Sequence, residues 1–197
     1  MNPFKFAWAV ILALVAAATA GAAVLPWMSL EEITGRAEVI VLGMVESAEG
    51  AWSEDGRIIV TRATVSVERA LKGGPRAQVI VETPGGRVGD QAMIASGAPV
   101  FRAGDRVVLF LEPAGAADPG AAPRHAVVGW NLGRMSVRRE PRTGRDLVED
   151  RTAGSLYLDR QGRPVGPERS GKGPAELKQF LGEVERLVAA GPRRDGR

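Results

Sequence analysis

His125 is the only histidine in the chain, and cysteine is absent. Those two facts bound the chemistry. A multi-histidine metal site, a thiolate metal site and a cysteine nucleophile are all excluded. A serine hydrolysis scheme stays open, with His125 as general base, Ser136 or Ser96 as nucleophile and Asp105 as orienting carboxylate. Nothing in the spacing brings those residues together. No Gly-x-Ser-x-Gly elbow occurs either, because Ala95-Ser96-Gly97 lacks the first glycine at its offset. The plainer reading makes His125 a strand-start residue near a barrel rim. The acidic pairs Glu31-Glu32, Glu54-Asp55 and Glu149-Asp150 are sequence neighbours. On a strand such neighbours point to opposite faces, so none has the look of a glycosidase pair. No catalytic residue, metal ligand or cofactor site is therefore assigned.

Binding chemistry has better candidates. Between Pro84 and Gly104, the glycines Gly85, Gly86, Gly89 and Gly97 admit positive φ, and Arg87, Asp90 and Gln91 offer polar contacts. No Gly-Lys-Ser/Thr follows, so this is not a Walker loop. Trp52 in a polar loop and Trp130 at a strand end offer aromatic anchors for a partner. Each feature also has a packing explanation, which the sequence favours. The glycines let a long crossover fold over a barrel end while Met93, Ile94 and Phe101 plug the core beneath, and the tryptophans cap the barrel ends.

The elements that must position these residues start after a leader. Met1-Asn2-Pro3-Phe4-Lys5 is a charged start, Phe6 to Ala20 is apolar, and the run exits through small residues, with Ala18-Thr19-Ala20 or Ala20-Gly21-Ala22 as the cleavage signature. A removable export signal over residues 1–23 is expected, with an uncleaved anchor over Phe6 to Leu25 as the alternative. Loss of Lys5 takes the formal charge from +3 to +2. Without base-stacking aromatics among the arginines, nucleic-acid binding is not expected. A disulfide framework is excluded, so the exported domain must be held by its own core.

In the mature chain, Ser29 with Glu32 forms a capping box for a short helix that Gly35 should end. Glu38 to Ser47 reads as a strand apolar on both faces, with Gly43 at a bend or bulge. Ala48 to Gly56 reads as a polar connection ending in an Asp-Gly turn. Ile58 to Ala70 alternates, Gln78 to Thr83 forms a third strand, and Arg106 to Leu111 a fourth, buried on both sides. Pro113 to Pro123 is a spacer, and His125 to Trp130 with Arg134 to Arg138 bracket a hairpin at Asn131-Leu132-Gly133. Weaker β-turn segments fill 139–170. A helix opens at Pro174 and carries Leu177, Phe180, Leu181, Val184, Leu187 and Val188 on one face to 190, before a basic tail at 191–197.

This order predicts a mostly β protein: a small five- to six-stranded OB-like barrel over 29–138, with a short N-terminal helix and a C-terminal amphipathic helix. The strand-and-loop order resembles that of exported bacterial proteins with an OB-like barrel, similar to the barrel of tissue inhibitors of metalloproteinases. The residues that carry the resemblance are Ala37 to Gly43, Val67 to Gly73, Pro84-Gly85-Gly86 with Gly89, Gly97 to Phe101, Gly104 to Leu111 and Val127-Val128-Gly129. Those inhibitors chelate the target's zinc with an N-terminal cysteine, which this chain lacks, so that route of inhibition is not implied.

The function expected is a non-enzymatic binding module, periplasmic or secreted, that contacts an envelope or extracellular protein or glycan through Trp52, Arg87, Asp90, Gln91 and Trp130. The alternatives are a serine-type hydrolase using His125 and an envelope protein tethered by an uncleaved leader. Contact with a membrane is expected only in that last case.

Overall fold

The computed structural model describes residues 24–74, 76–115, 122–150, 156–159, 161–165 and 174–191. The leader at 1–23, the tail from 192 and most of 151–173 lie outside the described residues. In chain order the elements are β1 (Val24–Pro26), α1 (Leu30–Arg36), β2 (Val39–Trp52), β3 (Ile59–Lys72), β4 (Gln78–Pro84), β5 (Gly86–Val88) and β6 (Gln91–Met93). Then come β7 (Arg106–Pro113), β8 (Arg124–Val127), β9 (Arg134–Arg139), β10 (Asp146–Asp150), β11 (Leu156–Leu158), β12 (Pro164–Val165), β13 (Ala175–Glu176) and α2 (Leu177–Ala190).

β2, β3 and β4 form an antiparallel meander, and β7 returns to pair with the far side of β2. The sheet then closes through β8, which lies parallel to β4 and antiparallel to the end of β7. The closed order β2-β3-β4-β8-β7 makes the fold an OB-like barrel. Its interior is filled by Val39, Val41 and Val45 of β2, Val65 of β3, Val81 of β4, and Leu109 and Leu111 of β7.

Strand alternation sends the intervening residues of β2 and β7 outward. Ile40, Leu42, Val108 and Phe110 are nonetheless buried, because α1, α2 and the extension β9–β10 cover them in a second core. A strand with a core on each side has no wet face, which is why both runs read as continuously apolar.

α1 carries both halves of its capping box. The Glu32 amide donates to Ser29 Oγ at 3.2 Å, and the Ser29 amide donates to the Glu32 carboxylate at 2.7 Å. The helix runs through Gly35 to Arg36, because Gly35 does not take the left-handed conformation that would stop it. β2 shows register shifts on either side of Gly43. A Cβ there would meet the Ser66 carbonyl oxygen at 2.2 Å, so the two backbones approach too closely for any side chain. Gly43→Ala is expected to cost about 2 kcal/mol, read as a lower urea midpoint with unchanged slope.

Four further expectations change. β2 continues through Ala48 to Trp52, since the β3 partner is long enough to pair with all of it, and the connection shrinks to 53–58. The supposed hairpin at Asn131-Leu132-Gly133 is not one. β8 and β9 do not pair with each other; both pair with β7, at opposite ends of it. β10 pairs with β9 and carries the same sheet beyond residue 138. The C-terminal helix starts at Leu177, because Ala175 and Glu176 are first drawn into pairing with Val148 and Leu147.

α2 packs on its own chain. Leu177, Leu181 and Val184 are buried, Phe180 meets Phe110 edge-to-face at 6.4 Å, and Arg69 is ion-paired with Glu185. Among the described residues, no helix is long and apolar enough to cross a membrane.

Candidate functional site at one barrel end

β2, β4 and β8 run in the same direction, as the antiparallel steps through β3 and the parallel β4–β8 pairing require. The segments that follow them, 53–58, 85–105 and 128–133, therefore leave the barrel at one end. Trp52, Arg87, Asp90, Gln91 and Trp130 all lie on or beside these three segments.

Each segment is built locally. In the first, Ser53 Oγ donates to Asp55 Oδ1 at 2.6 Å and accepts from the Ile58 amide at 3.1 Å. Asp55 also accepts from the Arg57 amide at 3.2 Å, and these bonds, that of Ser53 foremost, hold its carboxyl below the usual carboxylate range. Glu54 folds back to an ion pair with Arg124 of β8, and Arg62 bonds Glu82 at 2.9 Å on the same outer face.

The second segment holds the β5–β6 hairpin rather than an unstructured loop. It is seated by the Gly85 amide on the Ile59 carbonyl at 2.8 Å and by Thr61 Oγ1 on the Gly85 carbonyl at 2.7 Å. Gly85, Gly86, Gly89 and Gly97 all have positive φ. The backbone of Arg87 lies directly on Gly50, where a Cβ would fall 1.9 Å from the Arg87 oxygen. Past the hairpin, Thr83 Oγ1 bonds the Pro99 carbonyl at 3.1 Å and Phe101 enters the barrel core.

Arg134 clamps the end of this segment. Its guanidinium bonds Asp105 at 2.9 Å and Ser136 Oγ at 3.0 Å, and stands over the Phe101 ring at 5.3 Å. In the third segment, Trp130 takes φ +66, an uncommon conformation for a bulky residue, and its indole Nε1 donates to the Ser96 carbonyl at 3.2 Å.

The expected plug is half present. Phe101 is buried, but Ile94 is 94 % exposed and Val100 63 % exposed. The exposed large apolar side chains of the described residues are Met44, Trp52, Ile58, Ile94, Val100 and Trp130, and all but Met44 sit at this one end. From Gln91 to Phe101 there is no charged side chain. Sequence reading missed Ile58, Ile94 and Val100 as site residues, since an apolar side chain carries no mark of exposure.

The hydrolytic arrangement with Ser136 as nucleophile does not assemble. His125 is opposite Pro113 on β7, whereas Ser136 is opposite Val107. At about 3.3 Å per residue along a strand, those positions lie roughly 20 Å apart. Asp105 and Ser136 are both committed to Arg134. Among the described residues no group of acidic, histidine or cysteine side chains is placed to hold a metal ion.

No family model matches the chain, and no curated protein matches it.

Proposed function

We propose that this chain is an exported, non-enzymatic binding module that docks a protein partner through the apolar end of its barrel. The gathering of Trp52, Ile58, Ile94, Val100 and Trp130 at that end carries the reading. Exposed aromatic and aliphatic side chains on connections held by a rigid barrel are the usual material of protein interfaces. Ile94 and Val100, bare and aliphatic in a charge-free stretch, favour apolar side chains of a partner over the hydroxyls of a glycan. Arg87, Asp90 and Gln91 on the adjoining hairpin supply a polar rim. The leader pattern supports a place in the periplasm or medium, and N-terminal sequencing of recovered protein is expected to begin near Gly21, Ala23 or Val24. The resemblance to exported bacterial proteins with the inhibitor-type barrel belongs to the same proposal, supported by the strand order alone.

Photo-crosslinkers at positions 94 and 100 in the exporting cell, with position 74 at the opposite barrel end as control, test the docking surface. A protein adduct specific to 94 and 100 is expected. Once that partner is purified, Ile94→Asp should weaken binding about tenfold, or roughly 1.4 kcal/mol. Adducts confined to glycan, or equal labelling at position 74, would refute protein docking at this end.

A further inference from the structure

β8 is both the seam of the barrel and the lead-in to Trp130. It closes the sheet through short pairings, Ile80 with Arg124 and Val81 with His125 on β4, and Leu111 with Val127 through Pro113 with His125 on β7. His125 and Val127 alternate with the less buried Arg124 and Ala126, and Val127 belongs to the barrel core. The imidazole therefore faces inward. It is 7 % exposed, it lies beside the Ile80 backbone, and its Nδ1 is buried without a hydrogen-bond partner.

A proton on that ring would put a charge into an apolar interior, where an unsatisfied ion is costly. The neighbouring charges offer little relief. Arg76, from the β3–β4 connection, repels a second cation, while Glu38 ahead of β2 attracts it from an exposed position. Glu112 on β7 is taken by Arg36, and Glu82 on β4 is shared by Arg62 and, at 3.8 Å across the seam, by Arg124. Burial foremost, with Arg76, holds the His125 value below the ordinary 6.5. The unfolded chain then binds more protons than the folded one just below pH 6.5. The stability from neutral His125 is complete above that pH and is lost as the pH falls.

Two contacts connect the seam to the apolar end. Arg124, beside His125, is ion-paired with Glu54 in the connection after Trp52, and β8 runs into the turn whose Trp130 indole rests on Ser96. We propose that protonation of His125 releases β8 from β4 and β7, and that the freed strand carries Trp130 and the Glu54 segment out of their docked positions, so that mild acid remodels the binding end. The docking consequence rests on the function proposed above; the opening of the seam does not.

As the only histidine, His125 gives a single imidazole resonance that needs no assignment. Two measurements on the intact exported protein between pH 7.5 and 5.0 test the seam: the titration of that resonance, and amide exchange at Ala126 and Val127 relative to Val65 of β3. The ring is expected to titrate below 6.5. Over the same range, β8 protection should fall at least tenfold more than that of β3, with a shift in tryptophan fluorescence. His125→Phe should abolish the difference; should that variant fail to fold, the wild-type titration and exchange decide alone. A ring titrating at or above 6.5, or β8 protection that tracks β3, would overturn the proposal. Ile94→Asp should leave the seam response intact. If it does, yet fails to weaken partner binding, the docking reading falls and the seam stands.

Discussion

Phe110→Ala should lower stability by about 3–5 kcal/mol, the loss typical when a fully buried aromatic is cut to a methyl. Phe110 is fully buried on the outer side of β7. It lies in the same cluster as Ile33 of α1, Leu132 ahead of β9, and Leu181 and Val184 of α2, and it meets Phe180 edge-to-face. Its backbone is equally committed: its amide donates to the Gly133 carbonyl at 2.8 Å, and its carbonyl accepts from the Val128 amide at 2.9 Å. Relaxation into the vacated space is therefore limited, which keeps the cavity cost high. For a chain of this size the loss corresponds to a fall in Tm of about 10 °C. Phe180→Ala, at a partly buried position on the other side of the same contact, should cost about half as much. Thermal melts of the two variants decide the matter. If Phe110→Ala costs no more than Phe180→Ala, the cover over β7 is a loose attachment and not a second core.

That second core was legible in the sequence as an effect without its cause. Val39 to Val45 and Val107 to Leu111 lack a polar face, which says that something covers both sides, but the period of a strand cannot name the cover. The amphipathic face of α2 could be read from Leu177, Leu181 and Val184, yet it fits a second subunit as well as its own sheet. The packing of Phe180 on Phe110, with the Arg69–Glu185 ion pair, assigns it to this chain. Pairing was harder than periodicity. The strands flanking Asn131-Leu132-Gly133 look like a hairpin because their separation is short. Instead the turn closes on itself, with the Gly133 amide donating to the Val128 carbonyl at 2.9 Å, and its flanks both bond Phe110, a distant residue on β7 to which β8 and β9 pair separately. The candidate site was legible in part. Trp52 and Trp130 drew notice as aromatics in polar surroundings, but Ile94 and Phe101 are equally apolar, and one is bare while the other is core. What separates them is the anchoring of the segment's far end by Arg134, a contact between residues that no local pattern relates.

Asp105→Ala is expected to cost about 3 kcal/mol and to loosen the whole 97–105 segment. Arg134 is 5 % exposed, so its charge depends on the fixed oxygens around it. Removing the Asp105 carboxylate takes an ion-pair partner from the guanidinium, and Ser136 Oγ and the face of Phe101 beside it carry no charge to replace it. The carboxylate also caps the turn through the Arg102 amide at 3.2 Å, so the backbone before β7 loses a bond as well. Water can reach the vacated Asp105 position, which keeps the cost toward the low end for a broken buried pair. Arg134→Met removes the charge and retains much of the stem's volume, so it should cost less, about 1–2 kcal/mol. The double variant should then be no less stable than Asp105→Ala alone, because the charge that made the first change costly is gone. Urea denaturation of the three variants measures that coupling. Tryptophan fluorescence reads the consequence at the binding end, where Trp130 rests on Ser96 of the same connection. If Asp105→Ala were as stable as wild type, or if the double variant simply summed the single losses, the clamp would not be an ion pair held in the protein interior. The placement of Val100 and Ile94 at the barrel end would then need another anchor.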